Sequence, residues 1–147
     1  MAELQIRPLG REDHGAWASL RHALWPTESE DALREELVEM VTSGLVAFGA
    51  FDGVRLIGFA EFSERPYGDG CDTSPVAWLE GIYVRPEARR CGIGRRLVAA
   101  GEDWARERNL KELGSDAELD NLASRLSHAL WGFGETERVV RFRKVLT

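Results

Sequence analysis

Residues 79–97 read Leu79-Glu80-Gly81-Ile82-Tyr83-Val84-Arg85-Pro86-Glu87-Ala88-Arg89-Arg90-Cys91-Gly92-Ile93-Gly94-Arg95-Arg96-Leu97. The run begins as an apolar strand, passes Pro86, becomes basic and glycine-containing, and then turns helical. Glycine lacks a Cβ, so the backbone at Gly92 and Gly94 can approach a ligand closely. The helix that follows directs its free N–H groups and positive dipole end at the same loop. The stretch therefore predicts a phosphate or pyrophosphate site between a strand and a helix.

The spacing of the two glycines narrows the choice of phosphate ligand. A Walker A loop needs Lys and then Ser or Thr after its last glycine, where this chain has Arg95-Arg96. A dinucleotide fingerprint needs a third glycine in place of Leu97. The pattern Arg89-x-x-Gly92-x-Gly94 instead resembles the acyl-CoA pyrophosphate loop of the GCN5-related N-acetyltransferases (GNAT). The alternative is an ordinary strand-to-helix turn with solvated arginines.

The GNAT resemblance implies acetyl-CoA as the co-substrate. Asn121, Ala123 and Gly132-Phe133 also resemble a second CoA motif of that family. By this resemblance, the residues that hold the cofactor are Ile82, Tyr83, Val84, Arg89, Arg90, Cys91, Gly92, Ile93, Gly94 and Asn121.

Length and charge limit the classes of protein to which the chain can belong. At 147 residues it fits one domain, residues 1–147, with one core. The net charge of −6 argues against nucleic-acid binding, and no apolar run approaches the ~20 residues of a membrane span. The N-terminus lacks the basic and apolar regions of a secretory signal, and two cysteines fit a reducing compartment. We therefore expect a cytoplasmic protein that does not bind membranes.

Hydrophobic periodicity predicts strands and helices along the whole chain. The predicted strands cover residues 4–7, 45–51, 55–62, 76–84 and 112–115, with two more between 134 and 145. The predicted helices cover residues 12–24, 29–43, the glycine loop to 108, and 121–130. Asp52-Gly53 is a hairpin signal, and residues 63–75 form a long polar loop. This is the element order of the GNAT acyl-CoA N-acyltransferase fold, of the α/β (α+β) class, with a mixed central sheet flanked by four helices.

Segments scattered over nearly the whole chain resemble a narrower family, the aminoglycoside 6'-N-acetyltransferases. They are Leu24-Trp25-Pro26, parts of residues 67–82, Ser115-Asp116 and parts of residues 132–139. The resemblance implies transfer of an acetyl group from acetyl-CoA to the 6'-amino group of an aminoglycoside, a reaction that gives antibiotic resistance. It also implies that the antibiotic contacts Trp25, Tyr67, Glu80, Asp116 and Glu137.

Three residues are candidates for proton transfer. Glu80 is a carboxylate in an apolar strand, which is costly to bury unpaired, so it suits an ammonium group and is the first choice for the base. Asp116 is the second choice. The family usually has a tyrosine four residues before Gly132 to protonate the CoA thiolate, whereas this chain has His128. Each residue also has an ordinary structural explanation. Glu80 can be an outward-facing strand residue, Asp116 a helix cap or turn residue, and His128 a surface histidine.

Composition and motifs leave other functions open. Acidic pocket residues suit any cationic amine, so a polyamine or a peptide N-terminus is an alternative acceptor. A non-catalytic acyl-CoA-binding module would bind CoA without releasing its thiol. The three histidines and two cysteines lack metal-site spacing, so no metal is expected. Members of the family are often dimers, and the polar and aromatic C-terminal segment permits a homodimer.

Overall fold

The strands and helices follow the predicted order for most of the chain. The computed structural model describes residues 3–147; Met1 and Ala2, where the stretch read for a secretory signal begins, lie outside the described residues. The strands are β1 (Leu4–Pro8), β2 (Val46–Asp52), β3 (Arg55–Arg65), β4 (Val76–Val84) and β5 (Leu113–Gly114). The helices are α1 (His14–Leu24), α2 (Glu30–Thr42), α3 (Ile93–Glu107) and α4 (Leu122–Leu130). The strands form one sheet in the order β1-β2-β3-β4-β5, in which only the β4–β5 pair is parallel.

The chain divides after Ser115 into two compact units, and each is described by itself. The first unit contains the whole sheet with α1, α2 and α3, and the second contains α4. None of the helices in residues 3–147 is both long enough and apolar enough to cross a membrane. That residues 1–147 act as one domain stays a prediction.

The β2–β3 hairpin confirms the turn signal in the sequence. Asp52 pairs with Arg55, and Gly53 between them has φ +61°, which glycine adopts at no steric cost. Strand β3 continues to Arg65 rather than ending at Phe62, because residues 63–65 still pair with residues 76–78 of β4. The predicted loop at 63–75 is therefore wrong at its start and is shortened to residues 66–75.

Helices cover both faces of the sheet. Phe59 of β3 packs in one cluster with Trp17 of α1 and Leu37 of α2. The adjacent Gly58 points the other way, where an added Cβ would lie 3.5 Å from Leu97 of α3. Successive strand residues point to opposite faces, so α1 and α2 cover one face and α3 covers the other.

A β-bulge in β4 sets the position of Glu80. Across the β3–β4 ladder Glu61 pairs with Gly81 and Phe62 with Leu79, so Glu80 is the extra residue between them. A bulge bends its strand and redirects a side chain. Glu80 is therefore placed by a local irregularity that the alternating pattern of the sequence does not reveal.

The edge of β4 that faces away from β3 is only partly covered. Strand β5 pairs with Ala77 and Trp78 and is shorter than the predicted strand at 112–115. Among the described residues no strand pairs with Leu79–Val84 on that edge. Backbone groups on that edge are consequently open to a ligand, apart from the Val84 carbonyl oxygen, which accepts a hydrogen bond from Arg89 Nε.

The predicted strands between residues 134 and 145 are wrong for the single chain. After α4, residues 133–147 contain neither helix nor strand in the described structure. A strand needs a neighbour to take its backbone hydrogen bonds, and an apolar alternation alone does not supply one. Val140 and Phe142 of this segment are 77% and 92% exposed.

Candidate active site

The connection between β4 and α3 forms an anion site from backbone groups. A 3₁₀ turn at Pro86–Ala88 is followed by two residues in the left-handed region, Arg90 at φ +66° and Gly92 at φ +77°. Gly92 is the N-cap of α3, and no side chain within residues 3–147 caps that end. The first N–H groups of α3 are therefore left for a ligand, and the helix dipole adds positive potential. This arrangement suits a phosphate or pyrophosphate.

Arg89 supports the anion loop from the strand side. Its Nε donates to the Val84 carbonyl oxygen at 2.7 Å, and its guanidinium carbon lies 5.4 Å from the centre of the Tyr83 ring. Arg90 and Arg95 are exposed and add positive charge around the loop. The Arg89 side chain thus links the loop to Tyr83 and Val84, two of the predicted cofactor residues of β4.

Ile93 and Cys91 contribute differently to the same loop. The Ile93 side chain is only 2% exposed, so it anchors the start of α3 in the core and only its backbone can meet a ligand. Cys91 is exposed, and its Sγ lies 3.6 Å from the Arg89 carbonyl oxygen.

Replacing Gly92 by alanine is expected to weaken CoA binding. A residue with a Cβ costs about 1–2 kcal/mol in the left-handed region, although nothing lies within 4 Å of the added atom. This strain is expected to reshape the loop and to lower CoA affinity on the order of tenfold, which calorimetric titration measures. Gly53→Ala is the matched control, because Gly53 has φ +61° and the same open surroundings in the hairpin. Equal CoA affinity in the two variants would contradict the assignment of the Gly92 loop as the site that binds the CoA pyrophosphate.

A cavity of about 330 Å³ lies between the α1–α2 pair and the sheet, and it is acidic. The charged residues that line it are Glu28, Glu36, Glu61, Glu80 and Arg21. Trp25, Leu33 and Met40 add apolar wall. A cavity of this kind fits a cationic ligand that also has apolar surface. It brings together two of the residues predicted to contact the acceptor, Trp25 and Glu80.

Glu61 and Arg21 form a buried ion pair beside this cavity. Arg21 Nε and Trp17 Nε1 both donate to Glu61 Oε2 at 2.8 Å. Glu61 is fully buried and Arg21 is 3% exposed. Burial raises the pKa of the Glu61 carboxyl, and the Arg21 charge and the Trp17 hydrogen bond oppose that rise. The pair fastens α1 to β3 and so fixes one wall of the cavity.

Trp25 is held from two sides. The guanidinium carbon of Arg21 lies 4.9 Å from the centre of the Trp25 ring. On the other side an added Cβ at Gly81 would lie 2.7 Å from Trp25 Cη2, so a glycine is needed for the ring to reach the β4 backbone. The indole therefore stands as a rigid wall next to Glu80. Its contact with an acceptor stays a prediction.

Glu80 is paired within the chain. Arg65 Nη2 donates to Glu80 Oε1 at 2.6 Å, and Arg65 Nε donates to Oε2 at 2.9 Å. The Ser63 hydroxyl also hydrogen-bonds to Oε2. The Glu80 side chain is 22% exposed, so it borders the cavity while being held by β3. The partner that the sequence requires for a carboxylate in this strand is thus Arg65.

Tyr67 lies in the loop between β3 and β4 and is 74% exposed. Glu112 holds that loop by accepting a hydrogen bond from the Thr73 N–H at 2.6 Å, and the bond from the Thr73 hydroxyl lowers the pKa of Glu112. Burial raises the pKa of the Cys71 thiol in the same loop, so Cys71 is a poor nucleophile at neutral pH.

Asp116, Asn121 and Glu137 lie in the second unit. Asp116 and Glu137 are exposed. Asn121 Oδ1 accepts a hydrogen bond from the Ser124 N–H at 3.1 Å and caps α4. An asparagine amide has N–H donors in addition to that acceptor, so capping does not exclude a ligand contact.

His128 is oriented by its own helix. Its Nδ1 lies 2.7 Å from the Ser124 carbonyl oxygen and therefore carries a proton, and its ring packs 5.3 Å from Trp131 and 5.1 Å from Phe133. A neutral histidine protonated at Nδ1 can donate from Nε2 only after it becomes cationic. Its role as general acid stays a prediction.

The sequence prediction lacks four of the charged residues that line the cavity, Arg21, Glu28, Glu36 and Glu61, and also lacks Arg65, the partner of Glu80. The sequence does contain a signal for Glu61: it is a lone carboxylate in the apolar run 56–62, where a buried charge needs a partner. Arg65 carries no such signal, because its stretch reads as loop. In residues 3–147 no three His, Cys, Asp or Glu side chains cluster as a metal site.

Known sequences resemble this chain along most of its length. The model of the acetyltransferase (GNAT) family matches residues 11–133. The aminoglycoside N(6')-acetyltransferase type 1 of Serratia marcescens is 46% identical over 136 residues, which cover 89% of this chain and 92% of the relative.

Solved structures agree with both the sequence match and the observed sheet. AAC(6')-Iy in complex with the bisubstrate analogue CoA-S-monomethyl-acetylneamine is 37% identical, with a TM-score of 0.92 over 99% of this chain and 100% of that chain. AAC(6')-Ih from Acinetobacter baumannii is 40% identical, with a TM-score of 0.91 over the same shares of the two chains. The predicted fold is confirmed. Because the family model matches residues 11–133 and the fold is that of the solved relatives, the chain belongs to the acetyltransferase (GNAT) family.

Proposed function

We propose that this chain transfers an acetyl group from acetyl-CoA to the 6'-amino group of aminoglycoside antibiotics and thereby gives resistance to them. The observation that carries the proposal is the acidic cavity walled by Trp25 and bordered by Glu80. Aminoglycosides are polycationic sugars, so several carboxylates and one aromatic wall match their charge and shape. The relatives named above act, by their names, on the same position.

Acetyl-CoA is the co-substrate in this proposal. Backbone N–H groups at the start of α3 bind its pyrophosphate, with Arg89 bracing the loop. The open edge of Leu79–Val84 takes the rest of the cofactor, with backbone N–H groups polarising the thioester carbonyl. Asn121 contributes from the N-terminus of α4, as the resemblance implies.

The reaction is a direct transfer in a ternary complex. The neutral amine nitrogen attacks the thioester carbonyl carbon, the carbon–sulfur bond breaks, and the electron pair leaves with sulfur. Glu80, directly or through water, takes the proton that the amine loses, and Asp116 is the second candidate. His128, when cationic, supplies a proton to the CoA thiolate. Because a thioester is already activated, positioning the two reactants supplies much of the acceleration.

Acceptor contacts complete the assignment. Glu80 and Trp25 bind the antibiotic from the cavity, and Tyr67, Asp116 and Glu137 add the remaining contacts that the family resemblance implies. Charge-assisted hydrogen bonds of this type contribute about 1.5–3 kcal/mol each.

The proposal is tested by thiol release from acetyl-CoA with and without an aminoglycoside. Release that depends on the antibiotic, with an acetylated product, supports it. Tight CoA binding without thiol release for any amine indicates an acyl-CoA-binding module. Release with a polyamine or a peptide N-terminus in preference to an aminoglycoside indicates the alternative acceptor.

We also propose that the protein is a homodimer formed through the C-terminal segment, residues 139–146. Val140 and Phe142 alternate with Arg141 and Arg143, a period-two pattern typical of a strand with one apolar face. Exposed apolar surface of this kind usually marks an interaction site, and a second copy offers the same pattern as a strand partner.

Sedimentation velocity tests the dimer. Wild-type protein is expected to sediment as a dimer at micromolar concentration, and Phe142→Ser is expected to shift it towards monomer. Val54→Ser is the control, because Val54 is fully exposed in the β2–β3 turn. A wild-type monomer, or a dimer unaffected by Phe142→Ser, would contradict the proposal.

The proposal also covers the domain organisation and the cellular compartment. The family model begins in the first compact unit and continues into the second as far as residue 133, which supports residues 1–147 acting as one domain. Cys71 and Cys91 are free thiols, which fits a reducing compartment such as the cytoplasm.

A further inference from the structure

The guanidinium of Arg65 is fixed against Glu80 in a geometry that ordinary surface ion pairs lack. It makes two hydrogen bonds to the carboxylate, at 2.6 Å and 2.9 Å. Its central carbon also lies 4.5 Å from the centre of the Trp78 ring, which is buried. Fork-like pairing combined with stacking on an aromatic ring holds an arginine in one place. Its charge is therefore a permanent part of the surroundings of Glu80.

The other charged groups of the cavity do not balance Glu80. Glu36 of α2 lies 3.6 Å from Arg21 Nη1, and Glu61 of β3 is paired with the same arginine. Glu28, in the connection between α1 and α2, is exposed and negative. Apart from Glu80, the cavity is thus lined by three carboxylates and one arginine. That arginine, Arg21, is already paired with two of the three carboxylates and does not balance Glu80. Arg65 is not part of the cavity lining, but among the described residues its guanidinium is the cation that pairs with Glu80.

An amine held by this cavity faces opposing demands. Negative charge binds it as an ammonium ion and raises its pKa, yet only the neutral amine can attack the thioester. A cation that partly balances the nearest carboxylate relieves that conflict, at some expense of binding strength.

We propose that Arg65 is a positioning and charge-compensating residue for Glu80, which keeps the bound acceptor amine able to lose its proton near neutral pH. The inference rests on the proposed function, in which the amine binds at Glu80. Arg65 acts through Glu80 and through its field, and it is not itself the base or a contact to the reacting atoms.

Removing the charge should change binding and turnover in opposite directions. In Arg65→Met the amine meets an unbalanced carboxylate, so KM for the amine falls several-fold. The turnover number kcat falls about tenfold at pH 7, because more of the bound amine stays protonated. The acidic limb of kcat against pH moves up by about one pH unit, the effect of one charge several ångströms away in a partly aqueous site. Arg65→Lys keeps the charge but loses the two-point pairing, so its kcat, KM and acidic limb should lie between those of Arg65→Met and wild type and closer to wild type.

Arg108→Met is the matched control. Arg108 pairs with Glu64 at 3.4 Å and lies 5.8 Å from the centre of the Trp104 ring, so it repeats the arginine, glutamate and tryptophan combination between the end of α3 and β3. That variant should leave KM, kcat and both pH profiles unchanged.

The experiment measures kcat and KM against pH for these proteins with acetyl-CoA and a 6'-amino aminoglycoside. The kcat profile reports groups in the ternary complex, whereas the limb of kcat/KM that belongs to the free amine should not move. Calorimetric titration in two buffers of different ionisation enthalpy adds a readout without turnover. It should show greater proton uptake on antibiotic binding by Arg65→Met than by wild type.

Three results would overturn the inference. If Arg65→Met lowers kcat and raises KM by the same factor at every pH, with proton uptake unchanged, Arg65 has a structural role only. If Arg65→Lys behaves like Arg65→Met, the charge is not what matters. If wild-type protein releases no thiol with any aminoglycoside, the proposed function fails and takes this inference with it.

Discussion

Glu61→Ala is expected to destabilise the fold by about 3–5 kcal/mol in chemical denaturation at pH 7. The substitution leaves the buried Arg21 guanidinium with only its longer, 3.6 Å contact to Glu36, and it removes the acceptor of the Trp17 N–H. A buried charge that loses its main partner costs far more than the lost attraction itself, and Glu36, which is half exposed, compensates only a part. Arg21→Met should have an effect of similar size, because it strands the Glu61 carboxylate.

The double variant Arg21→Met, Glu61→Leu distinguishes the stability that the ion pair contributes from the cost of removing only one of its two charges. Replacing both charges by apolar groups of similar size should recover most of the stability lost in either single variant. Glu87→Gln is the control, since Glu87 pairs with Arg55 at the surface, where both side chains are 58% exposed. Single variants at Glu61 and Arg21 that are as mild as Glu87→Gln would contradict the role assigned to the buried pair.

Glu80→Gln is expected to have the largest effect on activity, a fall in kcat/KM on the order of 10²–10³. The amide cannot take the proton that the amine loses, and it binds an ammonium group less well than a carboxylate. Steady-state kinetics against pH should also show that the acidic limb of kcat/KM changes shape, because the base is missing.

The neighbouring Glu64 provides the matched control. It pairs with Arg108 and stands in the sequence between Ser63 and Arg65, whose side chains meet Glu80. Strand alternation directs Glu64 to the opposite face. Glu64→Gln should therefore leave kcat/KM unchanged, and a Glu80→Gln variant with wild-type kcat/KM and an unaltered acidic limb would end the proposed role of Glu80.

Local patterns in the sequence predict most of the fold. Asp52-Gly53 specifies the hairpin, the stripe of α1 places Trp17 in the core, and the left-handed glycine at position 92 comes where the motif requires it. Each of these features depends on residues close together in the chain. Periodicity and turn chemistry are sufficient for such elements.

Local patterns do not predict features that depend on which strands and helices contact one another. The bulge that makes Glu80 an extra residue is a mismatch between two strands. The pairing of Arg65 with Glu80 requires β3 to extend beyond its apolar run, and the Arg21–Glu61 pair spans 40 positions. The C-terminal alternation predicts strands, but a strand also needs a neighbour. Local patterns therefore predict the anion loop well and the cavity only in part.

The most direct test of the proposed function uses two aminoglycosides that differ only at the 6' position, one with an amino group and the other with a hydroxyl group. Thiol release from acetyl-CoA is followed with each, and the product is analysed by mass spectrometry. We predict rapid release and a singly acetylated product with the 6'-amino compound, and no release above background with the 6'-hydroxyl compound. Equal release with both compounds would show that another amine is the acceptor and would contradict the proposal.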